Sequence, residues 1–540
     1  MGDARDPAGP LKRRALAAAM AVALGAFPVV AARADRNPDR PPTPPTLVVV
    51  IAVDQMRGDY LDRFGAAFTG GLARLIREGA VFTDANQDHG FTETAPGHAT
   101  LLSGRNPWST GIIRNSEGVN DTTPLLEVPG PGASPRRFHG TALFDWMHAR
   151  WPTARALSVS KKDRGAILPV GRSRQAVYWY EGGQFTTSRY YADTLPTWVR
   201  DFNQSAVPAR AGGRMWTLLL DSSLYPEPDS MPYEGGGRDP VFPHRLPAND
   251  SVAARAFPGT PWMDSLTLAF ALAGVQHLGL GRSAHPDLLA ISLSATDYIG
   301  HAFGPDSREL HDQMLRLDRY LGQFLDSLAR LRDPRRIVLV LTADHGVTPF
   351  PEWSRGHGDP EAGYVDTDSL VRRWRDQLNA RAGAGAWIPW TEGGGITLDR
   401  AGLAARGVNV DSVIGLMRTD LLAVRGVAQL DTRRSLAAAD TSADRFARRW
   451  RNALATGVPL ELFVTLRPDM FLGRPGGGAQ HGQPTDADTH VTLALWGAGI
   501  KPGTYRDRVS VADVAPTLAS VLGVRPGEPV QGRVLREALR

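Results

Sequence analysis

The chain contains no cysteine. Disulfides, thiolate metal sites and cysteine nucleophiles are excluded, as is the cysteine-derived formylglycine of sulfatases. Lysine is almost absent too. Lys and Arg together number 61, yet the only lysines are Lys12, Lys161, Lys162 and Lys501. Composition has moved surface cations to arginine, so the adjacent pair in SVSKKDRGAI stands out, and a specific task for at least one of the two is expected. Nor is there a large excess of positive charge. The formal net charge is +5, and residues 1–34 hold five basic and two acidic groups, leaving 56 basic against 54 acidic, or +2, in the remainder. That gives no electrostatic reason to expect nucleic acid as a partner. Beyond the N-terminal segment no stretch is long and apolar enough to suggest a bilayer span.

What is present is ordinary globular composition, 42% hydrophobic and 22% charged over 540 residues, enough for a large core. Length alone allows two to four domains. The N-terminus reads as an export signal: Lys12, Arg13 and Arg14, then an alanine-rich apolar stretch, then Ala32-Arg33-Ala34 as a small-x-small cleavage site. Residues 1–34 are therefore expected to be a signal peptide. Arg13-Arg14 leaves both the general and the twin-arginine route open. Residues 35–46, containing NPDRPPTPPT, read as an extended proline-rich spacer.

An α/β alternation follows. TLVVVIAV (46–53) is a continuous apolar run, as a strand buried on both faces requires. DLLAISLS and RRIVLVLTA read as further strands of this kind, and DSLTLAFALAGVQHLG and SRELHDQMLRLDRYLGQFLDSLARL as the helices before them. THVTLALWG is a late strand and VSVADVAPTLASVLG a closing helix. The expected fold is α/β, with a mostly parallel sheet sandwiched by helices. Stretches at about 165–260 and 350–480 break the rhythm and read as inserted cap segments near the C-terminal sheet edge, within one catalytic domain spanning 47–540.

The chemistry-bearing residues follow apolar runs, where an open α/β sheet presents its functional groups. Asp54 ends VVVIAV. Asp297 and His301 in SATDYIGH are spaced i, i+4, on one face of a helical turn. Asp344 and His345 follow IVLVLTA, with Gly346 permitting a tight turn. His481 in AQHGQP and His490 in the late strand are both candidates for a further imidazole. Thr94 in TETAPGH precedes a helix start at HATLLSG, where amides and the helix dipole favour phosphate; Thr92 is the competing hydroxyl. Asp and His are ligand types that zinc accepts, and a metal can turn an alcohol into a nucleophile.

Taken together, VDQMRGDYL, TAPGHATLLSG, GIIRNSEG, SKKDRGAI, SATDYIGHAFGPDS and LTADHGVTPFPE resemble the alkaline phosphatase superfamily, most closely its threonine-nucleophile, PafA-like alkaline phosphatases. The resemblance runs in order from about residue 46 to the C-terminus. It implies an alkaline-phosphatase-like fold, two Zn2+ and a phosphothreonine intermediate. By the same resemblance Asp297, His301 and His481 would hold one zinc, and Asp54, Asp344, His345 and the Thr94 oxygen the other. Asn115, Lys162 and Arg164 would bind the phosphate oxygens, with the K-D-R triplet selecting Lys162 over Lys161.

The expected function is hydrolysis of small-molecule phosphate monoesters by an exported, periplasmic or secreted monomer without a stable membrane span. A monoester carries close to two negative charges at alkaline pH, which rewards the extra cations of the KDR element. The alternatives are a nucleotide pyrophosphatase/phosphodiesterase of the same superfamily, a related transferase or mutase, and a non-catalytic periplasmic metal- or phosphate-binding protein.

Overall fold

The computed structural model describes residues 44–205, 211–476 and 478–540. The expected signal peptide and most of the spacer lie outside the described residues. From residue 44 onward the chain forms one unit, built on a ten-stranded sheet. Its strands include β1 (Leu47–Val53), β2 (Ala80–Asn86), β3 (Ala156–Ser160), β4 (Ala176–Glu181), β5 (Gln184–Thr186), β6 (Asp287–Leu293), β7 (Ile337–Thr342), β8 (His490–Gly497) and β9 (Gly503–Tyr505). They lie in the order β9-β2-β8-β7-β1-β6-β3-β4-β5, with Val509–Ser510 added beside β2.

The middle five strands, β7 to β4, run parallel. Four of them, β7, β1, β6 and β3, are buried along their whole length, which explains why β1 and β7 are unbroken runs of β-branched and aliphatic residues. Register decides the site. Val53 of β1 stands beside Leu293 of β6, and Ala52 beside Thr342 of β7. Ser292 of β6 aligns with Ser160 of β3. The residues that follow these strands, 54, 294–301, 344–345 and 161–164, therefore emerge along one edge.

Three helices bear on that edge: α1 (Thr94–Ser103), α2 (Asp163–Ile167) and α4 (Ala295–Phe303); α3 (Trp262–His277) packs on the sheet, and α5 (Arg308–Leu331) packs on α3 and α4. Helix α1 begins at Thr94 itself, four residues before the start the sequence suggested. Pro96 falls in its first turn, where a missing N–H costs nothing, so Pro96-Gly97 makes no separate turn.

Residues 165–260 do not act wholly as an insertion. Ala176–Glu181 and Gln184–Thr186 extend the central sheet, with Phe185 stacked on Phe270 of α3, 4.1 Å between ring centroids. Their tyrosines and tryptophan hid the strand signal among glycines and arginines. Residues 350–480 carry a separate four-stranded sheet made of Thr391–Glu392, Gly395–Thr397, Leu460–Leu466 and Val427–Thr432. It has a core of its own around Trp374, Met417 and Leu462. Trp450 of α6 (Arg445–Ala453) packs against Phe91 and Phe463, joining this segment to the body near the site.

Candidate active site

Three buried carboxylates converge beyond the ends of the central strands. Asp54 follows β1, Asp344 follows β7, and Asp297 lies in the first turn of α4. Among the described residues one amine is buried between them. The Lys162 ammonium, at the start of α2, is 2.6 Å from Asp54 Oδ2 and 2.6 Å from Asp297 Oδ2, and 3.3 Å from Thr94 Oγ1. Burial followed by the charges of Asp297 and Asp344 pushes the Asp54 carboxyl well above its ordinary range. Burial works on Asp297 the same way, but Lys162 and His301 outweigh it and hold that carboxyl well below. One ammonium for three buried acids leaves an excess of acidic groups that favours additional cations.

Three imidazoles face this centre, all oriented alike. His345 Nδ1 pairs with the Gly346 carbonyl at 2.9 Å, His481 Nδ1 with the Thr92 carbonyl at 2.7 Å, and His301 Nδ1 with the Ala479 carbonyl. Each ring therefore donates from Nδ1 to backbone and presents the Nε2 lone pair inward, as metal-binding histidines do. His345 Nε2 lies 3.5 Å from Asp54 Oδ1, and neither atom has a hydrogen-bond partner. His301 Nε2 is 3.3 Å from Asp297 Oδ1 and 3.2 Å from His481 Nε2. Burial lowers the affinity of His345 and His481 for a proton, which keeps them available as ligands.

Two groups able to hold a divalent metal result: Asp54, Asp344 and His345, and Asp297, His301 and His481. Within each, ligand atoms lie within 4.8 Å of one another. The orphaned Asp54 oxygen and His345 nitrogen, the inward Nε2 atoms and the unbalanced carboxylates all fit such an ion.

Of the expected residues, Asn115 and Arg164 remain. Asn115 is set by two bonds: its amide donates to Glu93 Oε2 at 2.7 Å, and its Oδ1 accepts from the Ala95 amide at 2.8 Å. The Arg164 side chain contacts Asp163 at 3.6 Å, and its Nε is buried without a partner. Three competing residues stand elsewhere. Lys161 turns away to Glu181, 3.8 Å distant. Thr92 donates to the Gln483 carbonyl at 2.9 Å, fastening the loop that carries His481. His490 Nε2 pairs with the Thr83 carbonyl at 3.0 Å, away from the two groups.

Close backbone approaches hold the centre together. A Cβ on Gly97 would lie 2.2 Å from the Asp344 carbonyl oxygen, and one on Gly300 1.9 Å from Gln55 Oε1. Gly346 also serves by close approach, since a Cβ there would meet the Ala487 carbonyl at 2.2 Å; it is not a positive-φ turn residue.

Sequence reasoning missed several supports. Gln55 adopts φ 68, a conformation uncommon outside glycine and associated with functional sites. Its amide donates to Asp344 Oδ1 and its Nε2 to Asp297 Oδ1, both at 3.1 Å, tying the two groups together. His98, visible in TAPGH but given no role, sits 3.2 Å from Asp344 Oδ2 and 2.9 Å from the Ser292 hydroxyl. Burial and then the Glu392 charge push Glu93, which holds Asn115, up to about 7.

Residues 48–406 match the family described as type I phosphodiesterase / nucleotide pyrophosphatase. The chain belongs to that family. Within it, the chain is similar to alkaline phosphatase PhoK of Sphingomonas sp, 32% identical over 524 residues that cover 91% of each chain. It is also similar to alkaline phosphatase PafA of Elizabethkingia meningoseptica, 29% identical over 531 residues, 92% of this chain and 94% of that one. The crystal structure of wild-type alkaline phosphatase PafA superposes with a TM-score of 0.86 at 28% identity, covering 92% of this chain and 99% of that one. The fold is therefore the alkaline-phosphatase-like one, and this family member is an enzyme of the phosphatase kind.

Proposed function

We propose that this family member is an exported phosphatase that takes up two Zn2+ and hydrolyses small-molecule phosphate monoesters through a phosphothreonine intermediate on Thr94. The observation that supports the reading is the Lys162 ammonium, which contacts one carboxylate of each Asp/His group and the buried Thr94 hydroxyl. Asp297, His301 and His481 would hold one cation, and Asp54, Asp344 and His345, with the Thr94 oxygen, the other. Bound there, the ions supply the Lewis acidity that makes an alkoxide accessible near neutral pH and stabilises a leaving alcohol without a general acid.

The chain's own part is positioning and charge. Thr94, at the N-terminus of α1, aims its Oγ at phosphorus and forms the new P–O bond as the ester P–O bond breaks. Water then cleaves the phosphothreonine, releasing phosphate and restoring the hydroxyl. Asn115, held by Glu93 and the Ala95 amide, offers its side-chain NH2 to one phosphate oxygen. Lys162 and Arg164 take the others, Arg164 through a two-pronged contact that its unpartnered Nε leaves open. These two cations suit the dianionic monoester.

A phosphodiesterase reading draws on the apolar strip Met470, Phe471 and Leu472 beside His301 and His481, which could receive a second organic group. Paired rates on a phenyl phosphate and a bis-aryl phosphate decide between the two. The monoesterase reading expects a large preference for the first, and a Thr94→Ala variant that forms no phosphothreonine. A preference for the diester, or Thr94→Ala with full turnover, contradicts it.

A further inference from the structure

In-line displacement sends the leaving alcohol away from the nucleophile. On the proposed reading, with the Thr94 oxygen grouped with Asp54, Asp344 and His345, the alcohol would depart over Asp297, His301 and His481. A cavity of about 310 Å³ opens there, lined by Asn115, His301 and His481 on one side and by Glu392, Gly393 and Met470–Leu472 on the other. That volume is at the small end of the range of roughly 300–1,000 Å³ for ligand pockets. The far wall belongs to the 350–480 segment, so the segment's residues face the part of the substrate that is not phosphate.

Glu392 is delivered to this wall by its hairpin. The sequence TEGGGIT places Gly393 and Gly394 at the turn, with φ 57 and 93, and pairs Glu392 with Gly395. Two successive left-handed residues give the turn whose twist matches its strands. Arg114 Nη1 at 2.6 Å and the Ser116 hydroxyl at 3.1 Å both bind Glu392 Oε2, leaving Oε1 clear of these contacts. Arg114 does not neutralise the wall, because its Nη2 also serves Glu117 at 2.8 Å; the Trp390 ring beneath, 4.0 Å away, fixes it in place. Two carboxylates share one guanidinium, and the mouth keeps a net negative charge. The other carboxyls of the lining are turned to backbone, Glu93 to the Asn115 amide and Asp488 to the Gln483 amide. Among the described residues no lysine or arginine lines the cavity.

We propose that Glu392 makes this cavity a charge-selective leaving-group subsite, which favours phosphomonoesters of amine-bearing and neutral alcohols over those whose alcohol carries a second anion. The inference rests on the monoesterase reading. Glu392 is a selectivity residue, acting through its field on the leaving group and not on the reacting atoms.

The test compares kcat/KM on the phosphate esters of ethanolamine, glycerol and glyceric acid, which are cationic, neutral and anionic alcohols of similar size. The wild type should rank them in that order. Glu392→Gln should improve the glycerate ester by about three- to tenfold relative to the glycerol ester, because Arg114 and Glu117 then balance and the mouth loses its net negative charge. Glu117→Gln, on the outer side of Arg114, should shift the ratio the same way by less. Both shifts should shrink toward 1 M salt, where the screening length falls to about 3 Å. Hydrolysis of all three esters without a charge ranking, or equal changes on all three in Glu392→Gln, overturns the subsite and leaves the monoesterase intact. A wild type loaded with zinc that hydrolyses none of them overturns both.

Discussion

Arg449 grips the Asp486 carboxylate with both terminal nitrogens, each 3.1 Å from Oδ1, although the guanidinium itself is fully buried. It also donates to the Pro484 carbonyl. Helix α6 of the 350–480 segment thereby clamps the loop between His481 and β8. Arg449→Ala should cost about 2–4 kcal/mol of stability, somewhat less than a fully buried pair because Asp486 is half exposed. It should also weaken metal binding by roughly tenfold or more, the usual effect of releasing a ligand's support. Thermal unfolding and competition with a zinc chelator measure the two effects separately.

Asp264 on α3 should contribute stability that is lost as pH rises toward neutrality. Burial pushes its carboxyl up to about 7, against the Ala295 amide and the Gln313 amide, which pull it down. An unfolded Asp titrates near about 3.9. Between those values the folded chain holds a proton that the unfolded chain has released. This contribution is complete below about pH 4 and is lost as pH rises through about 7, a change of roughly 1–4 kcal/mol. Asp264→Asn should lose that dependence and gain Tm relative to wild type at pH 8 compared with pH 5. Gln313 Oε1 has no hydrogen-bond partner, so a rotated Gln313 amide can accept from the new NH2.

Lys162→Ala and Arg164→Ala should each reduce monoester kcat/KM by 10- to 1,000-fold, the order of roughly 1.4–4 kcal/mol of lost charge-assisted contact. Diester turnover should fall much less, because a diester offers one charge fewer. Lys161→Ala, whose ammonium turns to Glu181, should leave both rates near wild type. Equal losses on both ester types in the first two variants would contradict their proposed role.

The parallel strands were legible because a strand buried on both faces must be apolar at every position, as LVVVIAV and IVLVLT are. Their register then brings Asp54, Asp297, Asp344 and His345 to one edge without further information. Ala176–Glu181 escaped notice because AVYWYE sits among glycines and arginines, and its packing partner Phe270 comes some ninety residues later. Gln55 left no mark either. Its role depends on a left-handed backbone angle set by Asp344 and Asp297 together, which are 289 and 242 residues distant. The residues alone left His481 and His490 as competing imidazoles, and the resemblance favoured His481 only through the glycine that follows it. The difference lies in the fold: the loop fastened by Thr92 and Asp488 turns His481 inward, while strand pairing points His490 toward Thr83.

Metal content per chain tests the central claim most directly. Elemental analysis of the purified, zinc-loaded protein should give two zinc ions per chain, falling to about one in His301→Ala and in His345→Ala, since each variant removes a ligand from a different group. Fewer than two ions in the wild type, or a full complement in both variants, would contradict the two-metal account.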